Sequence, residues 1–86
     1  MAAVDYSRGG LGEPAAFGEA VTPHDSNELT AVTRGLWVGT GGDVKVVLFG
    51  GQTITFPNVQ DGTLLPIRVR QVFSTGTDAD DIVGLY

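Results

Sequence analysis

The sequence contains no cysteine, so no disulfide framework and no thiolate zinc site can staple the fold, and a thiol nucleophile is excluded. It has one histidine, His24. A Ser-His-Asp triad built on it would draw its base from a Gly- and Pro-containing stretch without regular structure, and a zinc site would need ligands from other subunits. Basic side chains are also scarce, five against ten carboxylates, for a net charge of −5. Neutralising phosphates takes a concentrated basic stripe, and its absence argues against nucleic acid as a partner. No apolar run approaches the roughly 18 residues of a membrane helix, so no membrane partner is expected. The start, Met1-Ala2-Ala3-Val4-Asp5-Tyr6, lacks a basic region leading into an apolar one. The expectation is a chain made soluble in the cytoplasm.

What is present is compact and rich in turns: 86 residues, 42% hydrophobic and 17% charged, with 13 glycines. That is one small domain. A globule of this size buries only about 60–65% of its unfolded surface, so its core is marginal alone and help from neighbouring subunits is expected. Charge is unevenly placed. Residues 1–30 hold five carboxylates against Arg8, a net −4, whereas residues 31–86 hold five aspartates against four basic side chains, a net −1. Composition shifts at the same point, since residues 7–30 mix Gly9, Gly10, Gly12, Pro14, Gly18 and Pro23 with few large apolar side chains. The reading is an extended N-terminal arm over residues 1–30 and a β domain over residues 31–86. Within the arm, Pro14 could open a helix, but Gly18 follows within a turn. Asp25 or Ser26 could cap one short turn that ends near Thr30.

From Arg34 onward, β-branched and aromatic residues alternate between glycine-rich punctuation, the pattern of a small antiparallel all-β meander. Residues 35–38 read as a strand with Leu36 and Val38 on one face and Trp37 on the other, ending in a hairpin loop at 39–43. Residues 44–49 follow, with Val44, Val46 and Leu48 opposite Lys45, Val47 and Phe49, then a tight Gly50-Gly51 turn. Residues 52–56 alternate cleanly until Pro57 stops the ladder. Residues 64–73 read as the longest strand, with a phase slip near Gln71 that suggests a bulge. Residues 82–86 form the last strand.

Several residue sets could carry chemistry. The loop Gly39-Thr40-Gly41-Gly42-Asp43-Val44 superficially resembles a phosphate cradle, but it leads into a strand, and such sites need a helix N-terminus. Asp78, Asp80 and Asp81 could offer oxygens to calcium, yet they lack the glycine turn and distal glutamate of a calcium loop, and a solvated loop is the better reading. No cofactor or metal is therefore expected. Arg68 and Arg70, two apart on a strand, could meet an anionic glycan or a carboxylate-bearing partner. The acidic arm of a neighbouring subunit suits them better. Trp37, placed with Val47 and Phe49 on the second face of the sheet, serves as an interface anchor more naturally than as a sugar platform, because its flanks are aliphatic. The expected interface residues are Trp37, Val47, Phe49, Arg68 and Arg70. No paired carboxylates or activated nucleophile support an enzyme.

Four runs of sequence carry a family likeness. They are Thr33-Arg34-Gly35-Leu36-Trp37-Val38-Gly39-Thr40-Gly41-Gly42-Asp43-Val44, Thr53-Ile54-Thr55-Phe56-Pro57-Asn58-Val59, Gly62-Thr63-Leu64-Leu65-Pro66-Ile67-Arg68-Val69-Arg70 and Ile82-Val83-Gly84-Leu85-Tyr86. With Thr22-Pro23-His24-Asp25 before them, these runs resemble the head spike base proteins of tailed phages and gene transfer agents over residues 21–86. The resemblance implies a virion structural protein at the capsid surface that anchors a spike or fibre and so assists adsorption to host polysaccharide. Placed at an icosahedral vertex, it would form a homo-oligomer, most naturally a pentamer, with capsid protein and spike or fibre protein as partners. The fold expected is a small antiparallel β-sandwich or jelly-roll-like domain with an extended N-terminal arm. A small glycan-binding β module is the alternative, with Trp37, Arg68 and Arg70 meeting sugar directly.

Overall fold

A computed structural model describes residues 4–5 and 15–86. Its strands are β1 (Val4–Asp5), β2 (Gly18–Ala20), β3 (Ala31–Val32), β4 (Gly35–Thr40), β5 (Gly42–Leu48), β6 (Thr53–Val59), β7 (Thr63–Leu65), β8 (Val69–Val72) and β9 (Asp80–Leu85). Two antiparallel sheets, β2-β9-β4-β7 and β6-β5-β8, face one another, and β1 pairs with β3 in parallel. This is the expected β-sandwich.

Alternation along each strand builds the core. Leu36 and Val38 of β4 and Ile82 of β9 point inward from the first sheet. Val44 and Val46 of β5, Val59 of β6, and Val69 and Val72 of β8 meet them from the second. Each buried Val or Leu contributes about 1.5–3 kcal/mol. Most are β-branched, which suits a pleated, half-buried strand.

The order of the strands differs from a meander. The glycine run at 39–43 is not a hairpin loop: β4 and β5 lie in different sheets, and only Gly41 separates them. A Cβ on Gly41 would run into the Val59 carbonyl oxygen and approach Asp61 Oδ1, and Gly42 has a φ of 150° beside the backbone of Asp78 and Ala79. The glycines serve a close-packed corner between sheets rather than a reversal within one.

Residues 64–73 are likewise two strands. Pro66 cannot donate to a ladder, and the Ile67 N–H turns back to the Leu65 carbonyl at 2.9 Å, so the chain leaves the first sheet after β7 and enters the second as β8. Buried Thr33 holds this crossing: its hydroxyl donates to Ile67 O and accepts from the Val69 N–H, both at 3.0 Å.

Pro57 does not end its strand, because β6 is an edge where a missing N–H costs nothing. It sits in a bulge. Gly42 pairs with Val59 and Val44 with Phe56, so Pro57 and Asn58 together oppose Asp43, whose Oδ1 accepts the Asn58 N–H at 3.0 Å. Asn58 takes a φ of 52°, a conformation that asparagine tolerates better than most residues. The bulge expected near Gln71 is present. Val47 pairs with Gln71 and Leu48 with Val69, leaving Arg70 as the extra residue.

Residues 15–30 run along both sheets. The β2 strand pairs with β9, and the backbone N–H groups of His24, Leu29 and Thr33 bond the carbonyls of Val72, Arg70 and Val69. This run covers the outer edge of β8, an edge that would otherwise offer unpaired carbonyls to another chain. The turn near Thr30 is no helix. His24 Nδ1 accepts the N–H groups of Ser26 and Asn27 at 3.0 and 3.1 Å, so the imidazole does the capping that was expected of Asp25 or Ser26. Asp25 instead reaches the 74–77 turn.

Candidate functional site

The candidate surfaces are the two outer faces of the sandwich. Leu36 and Val38 point into the core, so Trp37 between them projects outward from the first sheet and is 41% exposed. Its cross-strand partners are Leu64 on β7, 52% exposed, and Val83 on β9. Two positions on, Gly35 lies opposite Leu85, and the space over Gly35 is closed by the side chains of Leu64 and Leu85. At the other end the Trp37 ring lies over Gly62. Trp37, Leu64, Val83 and Leu85 thus form one apolar stripe across the sheet. The strands of this sheet contain Glu19, Asp80 and Asp81 and no basic residue.

The outer face of the second sheet is different. Val44 and Val46 are buried, so Lys45 and Val47 face outward, and Phe49 beyond the strand end is 46% exposed. The Arg68 guanidinium sits over the Phe49 ring at 4.6 Å, and Lys45 Nζ sits over Phe73 at 4.9 Å. This face is apolar and cationic at once.

Trp37 therefore does not join Val47 and Phe49 on a common face. They belong to different sheets and project from opposite sides of the molecule. The sequence placed all three strands in one meander, and the corner at Gly41 separates them. Arg68 and Arg70 are parted as well: Arg68 stacks on Phe49, whereas Arg70 donates from Nε to Glu28 Oε2 at 2.7 Å. The arm-to-strand pairing expected between subunits is made by Arg70 within one chain. Leu64, Val83 and Leu85 share the Trp37 face, and in the sequence only the alternation of Leu64 with Leu65 hints at it.

The aspartates of the β domain gather at the end of the sandwich that contains Gly41, and the carboxylates of Asp43, Asp61, Asp80 and Asp81 each accept a hydrogen bond there. Asp61 Oδ1 accepts the Gly41 N–H at 2.6 Å, Asp81 Oδ2 accepts the Thr40 hydroxyl at 2.8 Å, and Asp80 Oδ1 accepts the Asp81 N–H at 2.9 Å. Among the described residues, no three His, Asp or Glu side chains converge on a common metal position. In the arm, Asp25 accepts the Thr75 hydroxyl at 2.6 Å and its N–H at 2.8 Å. These bonds from Thr75, the hydroxyl foremost, hold the Asp25 carboxyl below the usual carboxylate range.

The geometry defines a small β-sandwich whose distinctive surfaces are two dissimilar apolar faces. No protein-family model matches the sequence, and no curated protein matches it. Among solved structures it is similar to a chain in the capsid of a native gene transfer agent particle, a structure computed with C5 symmetry. The identity is 38% and the TM-score 0.80, over 90% of this chain and 89% of that one. The chain belongs to the capsid-associated protein family of gene transfer agents, and it is a virion structural protein.

Proposed function

We propose that the chain is the base of a head spike or fibre, held on the capsid surface as a homo-oligomer, most naturally a pentamer, and that through the spike it assists adsorption to the host. The observation that carries this reading is the 38% identity, over nine-tenths of both chains, to a component of a C5-symmetric capsid structure. A fivefold vertex asks a small protein to contact neighbours on two sides, capsid below and fibre above. Two apolar faces and a pair of loop-bearing ends suit that task. Trp37, Val47, Phe49, Arg68 and Arg70 are the interface residues in this reading, and the arm over residues 1–30, whose residues 15–30 lie along the chain's own sheets, meets the capsid or an adjacent subunit with the surface that this leaves outward. The role is structural rather than catalytic.

The aliphatic surroundings of Trp37 suit a protein surface better than a sugar, since glycan platforms pair an aromatic ring with polar flanks. The test is co-sedimentation with capsids assembled without this chain. Saturable binding, with new density at the fivefold vertices in particle images, is the expected result. Recovery of all the protein in the supernatant overturns the proposal.

A further inference from the structure

We infer that copies of the chain associate head to tail, the Trp37 face of one subunit against the Phe49 face of the next. This deepens the reading of the chain as a spike base, by naming the contact that would build its ring.

An apolar sheet face can be covered by an identical face in an isologous dimer, or by a different face in a heterologous contact that closes into a ring or runs on as a filament. Two observations favour the second arrangement. The apolar surface occurs twice, on opposite sides of the sandwich, so one subunit can meet two neighbours at once. The two faces also differ in charge. The Trp37 face carries carboxylates: Asp81 sits against Gly39 on β4, and Asp61 precedes the Gly62 that underlies the Trp37 ring. The face of Phe49 and Val47 carries two cations held on aromatic rings, Lys45 over Phe73 and Arg68 over Phe49.

Like faces would bring two sets of aspartates, or two sets of cations, together, whereas unlike faces put aspartates opposite a lysine and an arginine around a shared apolar centre. Such complementarity fixes register and disfavours the self-paired alternatives. A capsid subunit could cover one face, but nothing about it predicts that the two faces of a single chain should complement each other.

The experiment uses the full chain and two variants, Trp37→Asp and Phe49→Asp, with native mass as the readout and circular dichroism to confirm that each is folded. Each variant alone is expected to be monomeric, since each has lost one of the two faces that every contact needs. Mixed in equal amounts, they are expected to form a dimer with one subunit of each kind. Trp37→Asp keeps a native Phe49 face, Phe49→Asp keeps a native Trp37 face, and the ends left over both carry the new aspartate.

Should either variant fail to fold, Trp37→Ala and Phe49→Ala replace them, with an expected weakening of about 30-fold per contact for loss of an anchor of this kind. A mixture that stays monomeric, a Phe49→Asp variant that dimerises by itself, or variants that keep the wild-type oligomer would each overturn the inference. So would a wild-type chain that is monomeric at all concentrations. Binding to capsids is read separately. A chain that binds capsids as a monomer defeats the head-to-tail contact and leaves the capsid role standing, whereas a stable ring that ignores capsids does the reverse.

Discussion

Glu28 Oε2 accepts the Nε–H of Arg70 at 2.7 Å, so a carboxylate of the acidic arm neutralises a cation on the strand beside which it lies. Backbone and side chain cooperate at this point. Arg70 is the extra residue of the β8 bulge, and its carbonyl accepts the Leu29 N–H at 2.8 Å, one residue beyond Glu28. The separation of charge along the sequence is resolved, at this pair, inside a single chain.

Replacing Arg70 by Ala is expected to lower stability by up to about 1 kcal/mol, because the pair is partly exposed to solvent and salt screens it. The double variant Glu28→Gln with Arg70→Ala should be less destabilised than the sum of the two single variants, because the pair is lost only once. Urea midpoints of the four proteins check this. A shift in native mass on breaking the pair would mean that it also serves an interface.

The corner between the sheets gives a contrast between two glycines. Gly41→Ala drives a methyl group into backbone atoms of Val59 and Asp61, which cannot move without opening β6, and should cost about 1–3 kcal/mol as overpacking. Gly51→Ala meets nothing within 4 Å, but its φ of 96° strains any L side chain, for about 1–2 kcal/mol. The Gly41 variant should also lose protection of the Asn58 and Gly41 amides from hydrogen exchange, while the Gly51 variant leaves both unchanged. Equal exchange in the two variants would contradict a steric role for the corner.

Much of the β domain was legible from alternation alone. Leu36 and Val38 against Trp37, and Val44 and Val46 against Lys45 and Val47, fall on the faces their spacing dictates, because a strand offers only two sides. Which sheet a strand joins is another matter. Gly41 and Pro66 punctuate the chain in the same way whether it reverses within a sheet or crosses to the facing one, and the decision rests on contacts distant in sequence, such as Gly41 with Val59 and Thr33 with Ile67. For that reason Trp37 and Phe49 were expected on one face and lie on two. The docking of residues 24–33 on β8 was hidden for a related reason. It rests on backbone bonds and on His24 Nδ1, which leave no periodic trace in the side chains.

The bonds from Thr75 to Asp25 predict a dependence on acid. Because the folded carboxyl titrates below its unfolded value of about 3.9, the tether contributes fully above that value and is lost as pH falls through the lower, folded one. Wild type should therefore be more stable than Asp25→Asn near neutral pH, and the gap should close under acid. Thermal melts of both proteins from neutral pH down to about pH 3 measure it. A gap that widens on acidification would reverse the assigned sign.

Stability should also depend on protein concentration. An 86-residue domain at about 0.05–0.15 kcal/mol per residue has roughly 4–13 kcal/mol of stability in hand. Truncating fully buried Leu36 to Ala should remove about 2–5 kcal/mol of that by loss of apolar contact and by leaving a cavity between the sheets. Anything that binds the folded state alone restores stability by mass action, and a neighbouring subunit is such a ligand. Melts of Leu36→Ala over a roughly hundredfold dilution series should show a Tm that falls on dilution, since each subunit then loses neighbours along with part of its core. Adding Trp37→Asp to Leu36→Ala should abolish that dependence while leaving the dilute-limit Tm near that of Leu36→Ala, because Trp37 lies on the outer face and not in the core that Leu36 fills. A Tm indifferent to concentration in Leu36→Ala would show that the sandwich stands on its own core, and that the outer faces contribute nothing to its stability.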